Sequence, residues 1–329
     1  MIGRCGRWWM TCVVTLLLAA PAFADDRHAS LRALFAMDER ELDYATAKIV
    51  VDRLIDPGTD EAEVRRQLDH WERAIRANIP ANATPGQRFA ALVDTLYQPG
   101  PWNDGRPFTY DLDDPLGKVP ANKRLATYLA TRKGNCISMP ILVLILGQRL
   151  GLPLALATAP RHVFVKVHDT GEQAWRNFEA TAGGFKLDSS YVRETHIAPR
   201  AIEHAIYLRP LSPHEGLGVI AGTLMEHHAA RGDGDALMEV ADLAFAANPR
   251  DTNAMLWKAN AYSLQIESRY VSRYPDANDI PQALRADYLH RSRENFAWFA
   301  RAEQLGWTQQ TPEQEAEYLR SIERERLRR

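Results

Sequence analysis

The sequence predicts an α+β chain in which a mixed core is preceded by a helical lead-in and followed by an all-α, repeat-like region. Three observations carry that prediction. Apolar residues recur at intervals of three and four from Asp25 to about Ile79. A run that is apolar nearly all the way round, Ile141 to Leu146, is followed by two short strand-like stretches, and from Leu211 onward only helical patterns occur. Composition agrees with a globular chain: of 329 residues 46% are hydrophobic and 25% charged, with 19 Gly and 19 Pro, which excludes disordered, collagen-like and membrane-spanning classes. Forty basic residues against 42 acidic ones leave no surplus for a nucleic-acid partner. The length suggests two domains.

The first residues read separately. Arg4 and Arg7 precede an apolar run, Val13 to Ala20, that ends in Ala22-Phe23-Ala24 before Asp25-Asp26, the order of a secretory signal peptide. Pro21 and the acidic pair cut the run short of the roughly 20 apolar residues a span requires. The expectation is cleavage after Ala24 and a periplasmic or secreted protein with no membrane span afterwards. Cys5 and Cys12 lie before the apolar run, where a lipid-attachment cysteine would close it. Losing the segment moves the formal net charge from −2 to −4 and leaves Cys136 as the sole cysteine, a lone thiol in an oxidising compartment.

In chain order, Leu31, Leu34 and Phe35, then Ala45, Ile49, Val50 and Leu54, mark helical segments that Pro57-Gly58 interrupts. Asp60 to Ala77 carries a core stripe of Val64, Leu68, Trp71 and Ile75, and Pro85 to Tyr97 one of Phe89, Leu92 and Leu96. Pro99 to Pro120, rich in Pro, Gly and Asp, reads as loop long enough to cover a site. A short helix, Leu125 to Ala130, closes at Thr131-Arg132-Lys133-Gly134, and Asn135 is placed to cap the apolar helix that runs to Arg149-Leu150 before Gly151 and Pro153 stop it. That helix is expected at the centre of the core, with Pro140 in or just after its first turn.

Val163 to Val167 and Gln173 to Phe178 flank Asp169-Thr170-Gly171-Glu172, a hairpin signal. Even-length loop closure sets His168 opposite Gln173 and His162 opposite Glu179; an odd-length loop would shift every pair. The C-terminal helices are expected over Gly216 to Arg231, Asp235 to Ala247, Thr252 to Tyr270 and Pro281 to Leu305. Asn248-Pro249 and the small residues Ala241 and Ala244 suit tetratricopeptide-like pairs, and a plain helical bundle fits the same spacing. Glu313 to Arg329 mixes Glu and Arg as a solvated helix does. The division predicted is a signal segment 1–24, a mixed domain 25–210 and a helical domain 211–329.

Cys136 is the residue with the most chemistry to offer. In the first turn of a helix its thiolate is favoured by the positive end of the macrodipole, and an imidazolium nearby would favour it further. Free backbone amides there could hold an oxyanion, the Cys136 N–H first and the Asn135 side-chain amide second. His162, at the start of a strand beside that helix, is the general-base candidate. Glu179 across the hairpin can take its second ring N–H, with Asp188 and Asn177 as alternatives for that orienting place. Spacing alone favours a buried cysteine, a hydrogen-bonded histidine and a surface carboxylate over a triad, which is recognised by geometry and not by sequence distance. No metal or cofactor is expected: His227 and His228 are adjacent on a helix and point about 100° apart. Gly232-Asp233-Gly234 and Ala182-Gly183-Gly184 read as turns, and Trp298, Phe299 and Trp307 as helix-packing residues.

Four segments in order carry a resemblance: Arg132-Lys133-Gly134-Asn135-Cys136-Ile137-Ser138-Met139, the helix ending Arg149-Leu150-Gly151-Leu152-Pro153, Arg161-His162-Val163-Phe164-Val165, and Asn177-Phe178-Glu179-Ala180-Thr181-Ala182-Gly183-Gly184. Together, over about Leu31 to Leu211, they resemble the transglutaminase-like superfamily, and within it the SirB1-type proteins, some of which continue into tetratricopeptide repeats. The resemblance implies a papain/transglutaminase-like α+β core with Cys136, His162 and Glu179 on the nucleophile, base and acid positions. The family usually has Asp at the last of these; Glu is one methylene longer. The function implied is a cysteine-dependent amide hydrolase or acyltransferase acting on a peptide or protein substrate. The alternative is a non-catalytic scaffold that binds an envelope protein through its C-terminal helices.

Overall fold

A computed structural model describes residues 27–326, so the expected signal segment lies outside the described residues. The lead-in consists of α1 (Ala29–Ala36), α2 (Tyr44–Ile55), α3 (Glu61–Ala77) and α4 (Pro85–Tyr97). Asp43, Asp60 and Thr84 each accept a first-turn amide of the helix they precede, and Thr84 closes a capping box with Gln87. The stripe Val64, Leu68, Trp71 and Ile75 is buried as its spacing predicts. On α2 the buried Lys48 ammonium lies 2.6 Å from Asp52, whose second oxygen accepts the Leu125 amide at 2.8 Å. Each buried charge thus has a partner, without which its desolvation would be prohibitive. The same carboxylate also caps α5 (Leu125–Thr131).

Between α4 and α5 the chain is mostly loop, with one short strand, β1 (Thr109–Tyr110), that pairs in parallel with β2 (Lys133–Gly134). Then comes α6 (Ser138–Arg149), whose residues from Ser138 to Gly147 are all buried. Ile141 to Leu146 are each at most 1% exposed, and each contributes roughly 1.5–3 kcal/mol by leaving water. This is the central helix, surrounded by α2, α3, α4, α5 and the sheet.

The sheet is an antiparallel meander of β3 (Leu154–Ala159), β4 (His162–Asp169), β5 (Ala174–Glu179) and β6 (Gly184–Lys186). Only β4 and β5 are expected from sequence. β3 reads Leu-Ala-Leu-Ala-Thr-Ala, a composition that favours helix, and its pairing with β4 along its whole length overrides that preference. The β4–β5 register corrects the expected one by two residues: His168 faces Trp175 and Val165 faces Phe178. The cause lies in the turn. The Asp169 carboxylate accepts the Gly171 and Glu172 amides and Gln173 takes a left-handed φ of 52°, so the four-residue loop closes one residue later than expected. A slip of one residue would have reversed the faces; a slip of two keeps His162 and Glu179 on the same face as diagonal neighbours.

One face of the sheet gives Leu156, Val163, Val165 and Phe178 to the main core around α6. The other gives Ala157, Ala159 and Phe164 to a smaller cluster with Tyr191, Ile197 and Ala201, from α7 (Asp188–Glu194), α8 (Pro199–Glu203) and the turn between them. Neither helix is anticipated by spacing. The remaining helices are α9 (Pro213–Ala230), α10 (Gly234–Ala247), α11 (Thr252–Ile266, continued by a π turn to Val271), α12 (Gln282–Gln304) and α13 (Pro312–Arg326). Each of α9 to α11 packs on the next, α9 also packs on α2, and Leu217, Ile220, Leu224, Leu237 and Val240 join the same core as α6. Among the described residues no helix is long and apolar enough to cross a membrane.

Trp298 packs on Phe245 with ring centroids 5.0 Å apart, under the Lys258 and Arg301 cations. Trp307 instead packs on the back of the sheet. Gly306 makes that return possible: its φ is +101°, and a Cβ there would lie 2.4 Å from the Ala201 nitrogen.

Candidate active site

The site is assembled where β2 turns into α6. Tyr110 and Gly134 are register partners in the β1–β2 pair, and a Cβ on Gly134 would lie 2.4 Å from the Tyr128 ring and 2.6 Å from Met139 Cγ. Only glycine lets the chain pass there. Asn135 follows and caps the helix: its Oδ1 accepts the Ile137 and Ser138 amides at 3.0 and 3.1 Å, and its own amide donates to Ser138 Oγ at 3.1 Å. The Met139 amide donates to the Asn135 carbonyl at 3.1 Å, so Cys136 directly follows the cap in the entering turn, and the regular run of α6 begins at Ser138. Pro140 occupies the position whose N–H would otherwise donate to the Cys136 carbonyl.

The Asn135 side chain, the second oxyanion candidate, is drawn into the cap. Its oxygen serves the cap and its Nδ2 is directed at the Asn122 carbonyl, 3.5 Å away. The Cys136 N–H has no hydrogen-bond partner among the described residues and remains the donor available beside the thiol.

His162 is presented by the tight β3–β4 hairpin, whose turn residues are Pro160 and Arg161, the latter at φ +55°. A non-glycine residue in that region stores about 1–3 kcal/mol of strain, the kind held where a site requires it. His162 Nε2 donates to Glu179 Oε2 at 2.6 Å. Cys136 lies near enough to favour the charged form of the ring, and with Nε2 engaged by Glu179 the nitrogen left to face the thiol is Nδ1. Cys136 Sγ lies 3.9 Å from the Arg161 carbonyl and is partly exposed. The extra methylene of Glu relative to Asp spans the diagonal that the corrected register imposes.

Glu179 is held by more than the imidazole. Tyr191 donates to Oε2 at 2.9 Å, and the Thr181 hydroxyl and amide donate to Oε1 at 2.6 and 3.1 Å. Burial opposes its charge, but His162 and these donors outweigh burial and hold it down to about 2. Burial likewise opposes the His162 imidazolium; the Glu179 carboxylate and Cys136 outweigh it and push its pKa up to about 10. The alternatives for the orienting place lie elsewhere: Asn177 donates to Asp188 at 2.6 Å, and Lys166 approaches Asp188 at 3.4 Å, without contact to His162. Tyr191 stacks on Phe164 at 4.3 Å and had no spacing signal to reveal it; Thr181 lies in a stretch singled out for other residues.

Imidazole and carboxylate thus form one hydrogen-bonded pair, with the Cys136 sulfur held beside the β3–β4 turn that presents the ring. Residues 62–218 match the transglutaminase-like superfamily. This transglutaminase-like domain runs from α3 into α9 and takes in Cys136, His162, Glu179, Thr181 and Tyr191. The chain is also similar to the UPF0162 protein PA3419 of Pseudomonas aeruginosa, 26% identical over 263 residues that make up 79% of this chain and 89% of that protein. No solved structure matches.

Other histidines come together away from Cys136 and His162. His28 and His228 meet through their Nε2 atoms at 3.0 Å, and His28 Nδ1 lies 2.8 Å from Glu239. Among the described residues no group of three or more His, Cys, Asp or Glu could hold a metal ion.

Proposed function

We propose that the protein is a cysteine-dependent amide hydrolase or acyltransferase that acts on peptide or protein substrates. The observation that carries the reading is the His162 ring, 2.6 Å from Glu179 on Nε2, with the Cys136 sulfur 3.9 Å from the carbonyl of Arg161, the residue before it. The Cys136 thiol gives its proton to His162 Nδ1, and the sulfur attacks the amide carbon while the carbonyl electron pair moves onto oxygen, which accepts the Cys136 N–H. Collapse breaks the carbon–nitrogen bond, and the leaving amine takes the proton from His162 Nδ1. The thioester then yields to water, or to an amine in the transferase case, with Nδ1 removing the nucleophile's proton. Glu179 keeps the ring oriented and stabilises its charged form.

A papain-like core of SirB1 type accounts for a nucleophile at the N-terminal end of a buried helix facing an antiparallel sheet. Export to the periplasm or beyond is supported by the order of residues 1–24. The second reading, a scaffold that docks an envelope protein, is favoured by the exposure of Leu289 and Phe296 on α12, at 54% and 73%. Alkylation of Cys136 by iodoacetamide near pH 6 separates the two. For the enzyme, His162→Ala slows the reaction by about tenfold or more and Glu179→Gln by less. A rate that ignores both substitutions sinks the enzyme and leaves the scaffold.

A further inference from the structure

The chain's own C-terminal helix reaches the candidate site from across the fold. After α12, Gly306 and Trp307 bring the chain back to the sheet, and α13 runs past the β3–β4 turn. Arg161, the residue before His162, donates to Glu315 Oε2 at 3.0 Å and to Gln310 Oε1 at 3.2 Å. Three residues on from Glu315, the Tyr318 hydroxyl meets Tyr110 Oη at 2.7 Å and donates to the Pro115 carbonyl at 3.1 Å. Ile322, four further, packs against the main core. These three positions share one helix face. Tyr110 is the register partner of Gly134, two residues before Cys136, and both tyrosine hydroxyls lie within electrostatic reach of Cys136 and Glu179.

Ile322 apart, the contacts of α13 are polar and partly exposed. Tyr318 is 41% and Leu319 39% exposed, and most of α13 is polar. Cavities of about 350 Å3 beside Arg106 and Lys133 and of about 480 Å3 beside His70 and Trp102 do not reach Cys136. The approach between Arg161 and Tyr110 is filled from within the chain.

We infer that the surface between Arg161 and Tyr110 is a peptide subsite, taking a carboxylate at Arg161 and an aromatic hydroxyl at Tyr110, and that α13 fills it in the resting protein. The ligand class is therefore an acidic peptide segment with an aromatic residue one helical turn on, which a substrate or activator must present to displace α13. The inference rests on the reading of Cys136 as the nucleophile behind that subsite.

The test uses the full chain and the iodoacetamide rate of Cys136. In Glu315→Ala/Tyr318→Ala the rate rises about tenfold, a decade being about 1.4 kcal/mol of lost docking. Tyr318→Phe, which keeps the ring, gives a smaller rise. A synthetic peptide of residues 310–326 added to the double variant slows the reaction again, and a scrambled peptide does not. A double variant that reacts at the wild-type rate overturns the inference, as does a rise that the peptide fails to reverse. A rise that survives His162→Ala keeps the cover but overturns the nucleophile. A fast wild-type rate that depends on His162 and ignores the α13 substitutions keeps the nucleophile and overturns the cover.

Discussion

Gly134→Ala tests whether the turn into α6 sets the position of the nucleophile. A methyl there would stand 2.4 Å from the Tyr128 ring and 2.6 Å from Met139 Cγ, whereas carbon atoms rest at about 3.5–4.0 Å, so more than an ångström must be recovered. Met139 is flexible and can yield. Tyr128 cannot: it is fully buried and meets Phe108 edge to face at 5.0 Å, which in turn meets Trp71 at 4.8 Å. The β2 segment is what moves, and it carries Asn135 and Cys136 with it. Overpacking of this kind costs about 1–3 kcal/mol, and a shift of about 1 Å in a reacting group can cost about a hundredfold in rate. Urea unfolding reads the first quantity, and Cys136 alkylation at pH 6 the second. Adding Met139→Ala should restore less than half of the stability loss, because the Tyr128 contact remains. A Gly134→Ala protein within about 0.5 kcal/mol of wild type, alkylated at an unchanged rate, would refute the reasoning.

Three further outcomes are expected. Glu179→Gln removes one partner of a buried pair and should cost about 3 kcal/mol. The Glu179 contribution is present above 4.5 and lost as pH falls toward about 2, and the His162 contribution is present below 6.5 and lost as pH rises through about 10. The difference in Tm between variant and wild type should therefore be widest between pH 4.5 and 6.5; a difference that grows steadily up to pH 10 would contradict the pairing. Tyr191→Phe withdraws one donor from the Glu179 carboxylate and should destabilise by about 1.5–3 kcal/mol in urea, while a neutral result would mean that Thr181 and His162 suffice. Leu142→Ala in α6, fully buried, should cost about 2–5 kcal/mol, against less than about 0.5 kcal/mol for Leu289→Ala on α12, and equal costs would contradict the burial assigned to each.

Legibility in the sequence followed the range of the interactions. Helices whose ends are marked by local chemistry, such as Pro85–Tyr97 after Thr84, were readable to the residue, because the cap and the stripe are both encoded within a few positions. β3 was not, since its Leu-Ala alternation becomes strand only through β4. In the site, Cys136, His162 and Glu179 stood out by type and order. The register that joins them was misjudged because the Asp169 side chain, and not loop length, decides where the turn closes. Tyr191 and Tyr318 were invisible for a simpler reason. They come from α7 and α13, 12 and 139 residues beyond Glu179, and no spacing rule connects a helix to a carboxylate on another element.

The packing of α9 on α2 also orders events in time. A ribosome delivers α2 well before α9, and until α9 has emerged Tyr44 lacks the Gly216 backbone against which its ring rests, with Ser212 and His214 still absent from Glu39. During that interval the growing chain carries an uncovered apolar face beside its central helix, the condition in which unfinished chains associate with one another. The two regions share one packed core. Completion of the core around α6 waits on the helices that follow it, so damage to α9 would be felt first as loss of soluble protein and only afterwards at Cys136.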